Sequence, residues 1–350
     1  MKKALLVIGD KNIARHRPYV SFRKFVEYAQ KLQRKKGFEL KIVGYSQLFS
    51  GKAPRIKSAA IKVILFFPYK YWNKNIERYR DGRIYGEKSF GREFKAYLRK
   101  VKKSVAGSYR GKRIEYLNHP EVCCIDRDKK ATKDILSKNE VMTPRTFKVG
   151  TFDHLQKLID RGINLYIKPR FGAMGKGITY IDKQKVISNF LFRKGEVVSR
   201  SRDFNWRTVH IKDKEKFLNR LLSRGFICEE AITPPTIRER RFDFRVYVMF
   251  GKVVYLYAKS SPKGSLVTNW SQGGRIDKYK TILKKLDKKK LMRLKKLAVK
   301  AARTLGLNFA GIDIIFSKDF KKAYVLEGNA FPGYEKGFNL MKCLLESVVE

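Results

Sequence analysis

The chain has 350 residues, with 80 Lys+Arg against 32 Asp+Glu, a formal net charge of +48 and 43% hydrophobic residues. That length supports a sizeable core and two or three packed subdomains, and the apolar content excludes a disordered polyelectrolyte. Thermal adaptation raises Lys and Glu together, so it does not account for a one-sided excess. A field of this sign steers anions: nucleotides, acidic polymers, nucleic acid or an anionic membrane surface. Four cysteines occur without a C-x-x-C pair, and Cys123 and Cys124 are adjacent, so they read as reduced thiols of a cytoplasmic protein. The apolar run Ala4–Gly9 meets Asp10-Lys11 at once and is too short for a signal segment. No stretch approaches the roughly 20 apolar residues of a membrane span.

In chain order, Ala4–Ile8, Glu39–Tyr45 and Val63–Phe67 read as strands. Phe22, Phe25, Val26, Ala29 and Leu32 fall at helical spacing over Ser21–Lys35, and Gly37 stands where helices end. A second helix is expected over Phe90–Val105, so the first part of the chain alternates as an α/β domain should. Between Tyr69 and Arg92, aromatics interleave with Lys and Arg, a pattern that suits either nucleic-acid stacking or a surface loop with its aromatics folded inward. Asp128–Lys138 reads as a helix, followed by an extended exit through Pro144. Leu165–Lys168 and Ile178–Ile181 flank a glycine-rich loop and predict a hairpin. Arg245–Phe250 and Val253–Lys259 predict adjacent strands. Lys284–Leu305 is a basic amphipathic helix that suits a membrane surface, RNA or, most commonly, packing on a sheet.

Two stretches carry chemistry. In Lys168-Pro169-Arg170-Phe171-Gly172-Ala173-Met174-Gly175-Lys176-Gly177, three glycines permit close backbone approach to phosphate oxygens while Lys168 and Lys176 supply charge. The spacing is neither a Walker loop nor G-x-G-x-x-G. Near the end, Gly311–Phe316 and Ala323–Asn329 predict an antiparallel pair. Alternation puts Glu327 and Asn329 on one face, and pairing can bring Asp313 beside them. Two carboxylates and an amide oxygen make a hard site suited to magnesium, with phosphates and water completing the octahedron. No G-x-S-x-G occurs and only four histidines exist, which leaves hydrolase and zinc chemistry without support.

These signals occur in the order seen in the ATP-grasp superfamily. From about Asn118 to Gly333 the chain resembles the branch containing glutathione synthetase and the ribosomal-protein glutamate ligase, and also the spore-coat-associated ATP-grasp proteins. The resemblance implies an α/β (α+β) fold, with an N-terminal pre-ATP-grasp domain over 1–117 and an ATP-grasp domain over 118–350. Within the latter it implies a lid subdomain at about 165–230 and a metal-binding subdomain at about 231–350. It further implies that Lys129 contacts ATP phosphate, that Lys168 contacts the α-phosphate and purine side, and that Gly172, Gly175, Lys176 and Gly177 form the lid over the outer phosphates. Glu229 or Glu230 would lie near the purine or ribose. Arg245 would face the transferred phosphate, with Asn269 near the phosphate or acyl phosphate. Asp313, Glu327 and Asn329 match the family's metal ligands. Lys259 stands where many relatives carry arginine, which keeps the charge but loses the bidentate fork.

The implied activity is ATP- and magnesium-dependent carboxylate–amine ligation through an acyl phosphate, with manganese as an alternative metal. Its partners would be ATP, a carboxylate and an amine, the acceptor being an amino acid, acidic peptide or other polyanion. A phosphotransferase on the same scaffold and a basic coat-type binding protein with an inactive site remain the alternatives. Arg193–Arg207, with Lys194, Arg200, Arg202 and Arg207, is a basic stretch near the lid that suits an anionic substrate.

Overall fold

A computed structural model of the chain describes residues 4–10, 20–77, 82–200, 206–268, 273–277, 281–333 and 338–349. Its first strand, β1 (Ala4–Gly9), is buried along its whole length. Leu5 and Val7 pack with Phe25 and Ala29, whereas Ala4, Leu6 and Ile8 pack in the cluster of Phe90, Phe94 and Leu98. A strand covered on both faces has no polar side, so its sequence is one apolar run instead of an alternation. β2 (Leu40–Gly44), β3 (Ala60–Leu65) and β4 (Arg113–Tyr116) complete a parallel sheet of order β2-β1-β3-β4. The helices Val20–Lys36 and Lys88–Ser108 contribute those two clusters, and Gly37 closes the first at φ +63°. Tyr45, expected at the end of β2, opens a short helix to Phe49 instead.

A second sheet is antiparallel. It contains β5 (Thr146–Phe147), β6 (Leu165–Lys168), β7 (Thr179–Ile181) and β8 (Val186–Ser188), with β9 (Leu191–Arg193) and β10 (Glu196–Val198) forming a separate ribbon. β11 (Val209–His210) and β12 (Ile227–Glu230) complete the order β11-β8-β7-β6-β12-β5. β6 and β7 pair antiparallel across the glycine-rich loop, the hairpin that its flanking runs predict.

The third sheet, also antiparallel, holds the metal-type residues. β13 (Thr236–Ile237) pairs with β14 (Arg240–Met249), and the order β16-β15-β14-β17-β18 includes β15 (Lys252–Pro262), β16 (Arg275–Ile276), β17 (Phe309–Phe316) and β18 (Ala323–Asn329). The basic helix covers this sheet, burying Leu294, Ala298, Ala301 and Ala302. It begins at Lys288, four residues later than its apolar spacing predicts, because the Asp287 carboxylate accepts from the Lys290 N–H at 2.7 Å and caps the first turn. Asn118 fastens this sheet to the first. Its side chain donates to Phe309 O and Ala330 O and accepts from the N–H groups of Asn308 and Phe309. The last helix, Leu340–Val349, returns to the beginning of the chain and packs beside Val20–Lys36.

Candidate active site

A cleft between the second and third sheets gathers Lys129, Lys168, Glu229, Lys259, Asp313 and Glu327. Its floor is set by a helix, Lys129–Lys138, capped by Asp128, which accepts from the Ala131 N–H at 3.1 Å. The same carboxylate takes the fork of Arg170 through two bonds of 2.7 Å, tying the glycine-rich loop to the helix. Lys129 and Lys133 are four residues apart and share the face that enters the cleft. The Lys129 ammonium donates to Gly172 O, directly under the loop. Burial lowers the Lys129 pKa to about 8, although Glu327 pulls the other way.

Glu229 and Glu230 point to opposite sides of β12, as strand alternation requires. Glu230 binds Arg145 at 2.7 Å on the exposed side. Glu229 is buried and lies between two ammonium groups: Lys133 at 2.6 Å and Lys168, its diagonal neighbour on β6. Burial alone would raise this carboxyl, but the two cations outweigh it and hold it at about 2. Lys133 pays the opposite penalty: burial lowers its pKa more than Glu229 restores it. Sequence reading missed Lys133, although its position one turn after Lys129 was the available signal.

The glycines of the loop are required by packing as well as by backbone angle. Gly175 and Gly177 adopt φ +69° and +72°. A Cβ on Gly177 would lie 2.5 Å from Pro169 and 2.7 Å from Phe190, and one on Gly172 would lie 2.9 Å from Tyr85. Tyr85 itself accepts from the Ala173 N–H at 2.8 Å, and Lys176 binds Glu77 at 2.5 Å. The segment Tyr69–Arg92 therefore clasps the loop. Of its two readings, the inward one holds for Trp72 and Tyr85, which are buried, while Tyr79 lies outside the described residues. In the basic stretch Arg193–Arg207, Arg200 donates to Asn189 O and Arg207 O, and Arg202 lies outside the described residues.

At the other end of the cleft, strand pairing sets Asp313 opposite Glu327 and Gly311 opposite Asn329. Arg245, on the adjacent β14, places its fork on Asp313 at 2.6 and 2.8 Å, and Lys259 bridges Asp313 and Asp243 at 3.0 Å each. Arg245 needs Gly311 beneath it, where a Cβ would lie 2.9 Å from its Nη1. Thr268 donates to Asp243 from the loop before Asn269, which itself lies outside the described residues. Burial raises Asp313, but Arg245 and Lys259 reverse that and hold it well below the usual carboxylate range. Glu327 is pushed up by burial and by the facing Asp313. Asn329 donates its amide N–H to Gly311 O at 2.9 Å, which leaves the amide oxygen as its available donor atom toward a cation.

This donor set fits a hard divalent ion. A carboxylate pair that resists full ionisation gains from a cation, and among the described residues no third acid, histidine or cysteine joins it. The remaining coordination positions would then fall to phosphate oxygens and water, the habit of magnesium.

A profile described as YheC/D-like ATP-grasp matches residues 113–343. Tetrahydromethanopterin:alpha-L-glutamate ligase of Methanocaldococcus jannaschii is 28% identical over 249 residues, spanning 68% of this chain and 73% of that one. A probable alpha-L-glutamate ligase of Shewanella pealeana is 25% identical over 67% of this chain, but the match covers only 44% of that relative. Among solved structures, the ATP-grasp ligase PsnB complexed with its minimal precursor matches with a TM-score of 0.57 at 15% identity, over 100% of this chain and 99% of that one. D-alanine–D-alanine ligase from Bacillus anthracis complexed with ATP matches with a TM-score of 0.53 at 14% identity, over 95% and 88%.

Proposed function

The chain belongs to the YheC/D-like ATP-grasp family, and from that premise we propose that it joins a carboxylate to an amine at the expense of ATP, through an acyl phosphate. The observation that carries the reading is one cleft lined by Lys129, Lys168, Asp313 and Glu327, with Asn329 on the same strand as Glu327. Residues 118–350 form the ATP-grasp part and 1–117 the preceding α/β part, with the lid at about 165–230 and the metal-holding region from about 231 onward.

The acceptor carboxylate attacks the γ-phosphorus and ADP leaves. The amine then attacks the acyl carbon, loses its proton and expels phosphate. Lys129 and Lys168 neutralise phosphate charge in a site where burial strengthens every Coulomb term. Glu229 fixes where the Lys168 ammonium sits. Arg245 and Lys259 hold Asp313 ionised and oriented, and the family resemblance gives Asn269, outside the described residues, the role of contacting the transferred group. Asp313, Glu327 and Asn329 would hold magnesium, with manganese as a substitute, supplying positive charge to the phosphate oxygens. The loop around Gly172, Gly175, Lys176 and Gly177 keeps water from the acyl phosphate. Glu230 lies at the edge of the nucleotide site. The glutamate-ligase names of the relatives and the peptide precursors bound to structural neighbours favour an amino acid or acidic peptide as substrate. Four unpaired cysteines accord with a reducing compartment, and we place the activity in the cytoplasm.

Hydroxylamine trapping tests the intermediate. With the true acceptor, ATP and magnesium, an acyl hydroxamate should accumulate with ADP. A stable phosphorylated acceptor in its place would identify a phosphotransferase.

A further inference from the structure

The helix Lys288–Thr304 carries eight cations and no acid in 17 residues. Three lysines occupy its first turn, where the helix dipole disfavours positive charge, and only the cap Asp287 offsets them by pairing with Lys290. Helix stability does not ask for this arrangement. The other long basic helices contain acids of their own: Glu27 pairs with Arg23 and Lys24, and Glu93 with Arg83.

Five of the eight cations form a line. Lys289, Arg293, Lys296, Lys300 and Arg303 are all exposed, and their 4-3-4-3 spacing keeps them on one ridge over about 21 Å. Lys296, Lys300 and Arg303 also line an open groove with Lys295 and, from the neighbouring hairpin, Lys252. Val253 and Val299 contribute apolar surface to it, and no acid lines it. Arg303 reaches the hairpin tip, lying so close to Gly251 that a Cβ there would sit 3.0 Å from its Nη2. One residue away at that tip, Phe250 is 43% exposed and held at φ 45°.

An anionic membrane is a poor fit, because the apolar face of the helix is already spent on the third sheet. An open groove lined by five cations, beside an exposed ring at the hairpin tip, matches a single strand whose phosphates follow the cations and whose bases stack. We propose that this groove, on the side of the third sheet covered by the helix, binds single-stranded nucleic acid without reading its sequence. The helix and hairpin tip contribute none of the ATP-site residues, so the two activities are separable.

The test uses the full chain and a labelled 20-nucleotide poly(U) strand over a range of salt concentrations. One variant replaces Lys289, Arg293, Lys296, Lys300 and Arg303 with Gln. A control of equal charge loss replaces the exposed Arg23, Lys31, Arg34, Lys35 and Lys36 with Gln. The first should flatten the log–log salt dependence by about 3.5, at roughly 0.7 per phosphate contact, and the control should change it little. Phe250→Ala should weaken binding about fivefold or more at fixed salt. ATP turnover retained in the first variant shows that the chain still folds, and a triple variant of Lys289, Lys296 and Arg303 serves if it does not. Equal losses in the stripe and control variants would overturn the proposal, leaving only net charge at work. So would loss of binding to phosphatidylserine vesicles or polyglutamate in the stripe variant while poly(U) binding persists.

Discussion

Replacing Glu229 with Gln removes the carboxylate that lies between the buried Lys133 ammonium and the partly buried Lys168 ammonium. Held at about 2 in place of its ordinary 4.5, Glu229 contributes about 3 kcal/mol at pH 7, at roughly 1.4 kcal/mol per pH unit. The figure agrees with the 3–5 kcal/mol typical of breaking a buried pair, and Lys133 left uncompensated adds to the loss. With an unfolding entropy of about 2.1 cal/mol/K per residue, 3 kcal/mol lowers the melting temperature by about 4 °C. Because the folded-state pKa is depressed, the contribution is complete above 4.5 and drains away as pH falls toward 2, to less than half at pH 3. Melting of wild type and Glu229→Gln by circular dichroism, at pH 7 and in steps down to pH 3, checks both numbers. Equal melting at pH 7, or a gap unchanged down to pH 3, would refute the assignment.

Lys129 loses its proton near pH 8 in the free protein, so kcat/KM for ATP should fall as pH rises through 8, and Lys129→Arg should remove that limb. Without metal, Glu327→Gln should leave stability unchanged or raise it, since it relieves repulsion with Asp313, yet abolish magnesium-dependent turnover. Asp313→Asn should instead destabilise by about 3–5 kcal/mol by stranding Arg245, while Lys259 keeps Asp243; urea titration of both variants distinguishes these effects. Glu77→Gln releases Lys176 from its carboxylate and should lower KM for ATP severalfold, with kcat as the control; an unchanged KM would show that the clasp does not compete with nucleotide.

Local pattern made much of this legible. The buried β1 follows from an unbroken apolar run, and the hairpin around the glycine-rich loop and the apposition of Asp313 with Glu327 from strand patterns joined by turns. What escaped has partners remote in sequence. Lys176 reads as a phosphate ligand because nothing near it is acidic, yet its carboxylate, Glu77, stands 99 residues earlier. Gly172 and Gly177 read as phosphate-facing, and their tight approach to Tyr85, Pro169 and Phe190 appears only when the chain is folded. Arg245 likewise reads as a phosphate contact, while its fork is engaged by Asp313, one strand over. Lys133 was hidden differently, as a lysine in a basic helix whose burial no charge pattern announces.

Turnover of ATP with an acceptor in the cleft between the second and third sheets underlies every role given above. The most direct measurement is release of ADP and phosphate with magnesium across pooled amino acids and acidic peptides, comparing wild type with Glu327→Ala and identifying products by mass. Wild type should show acceptor-dependent release that is lost in the variant, with an amide product and stoichiometric free phosphate. Failure of wild type to bind ATP in the presence of magnesium would contradict it.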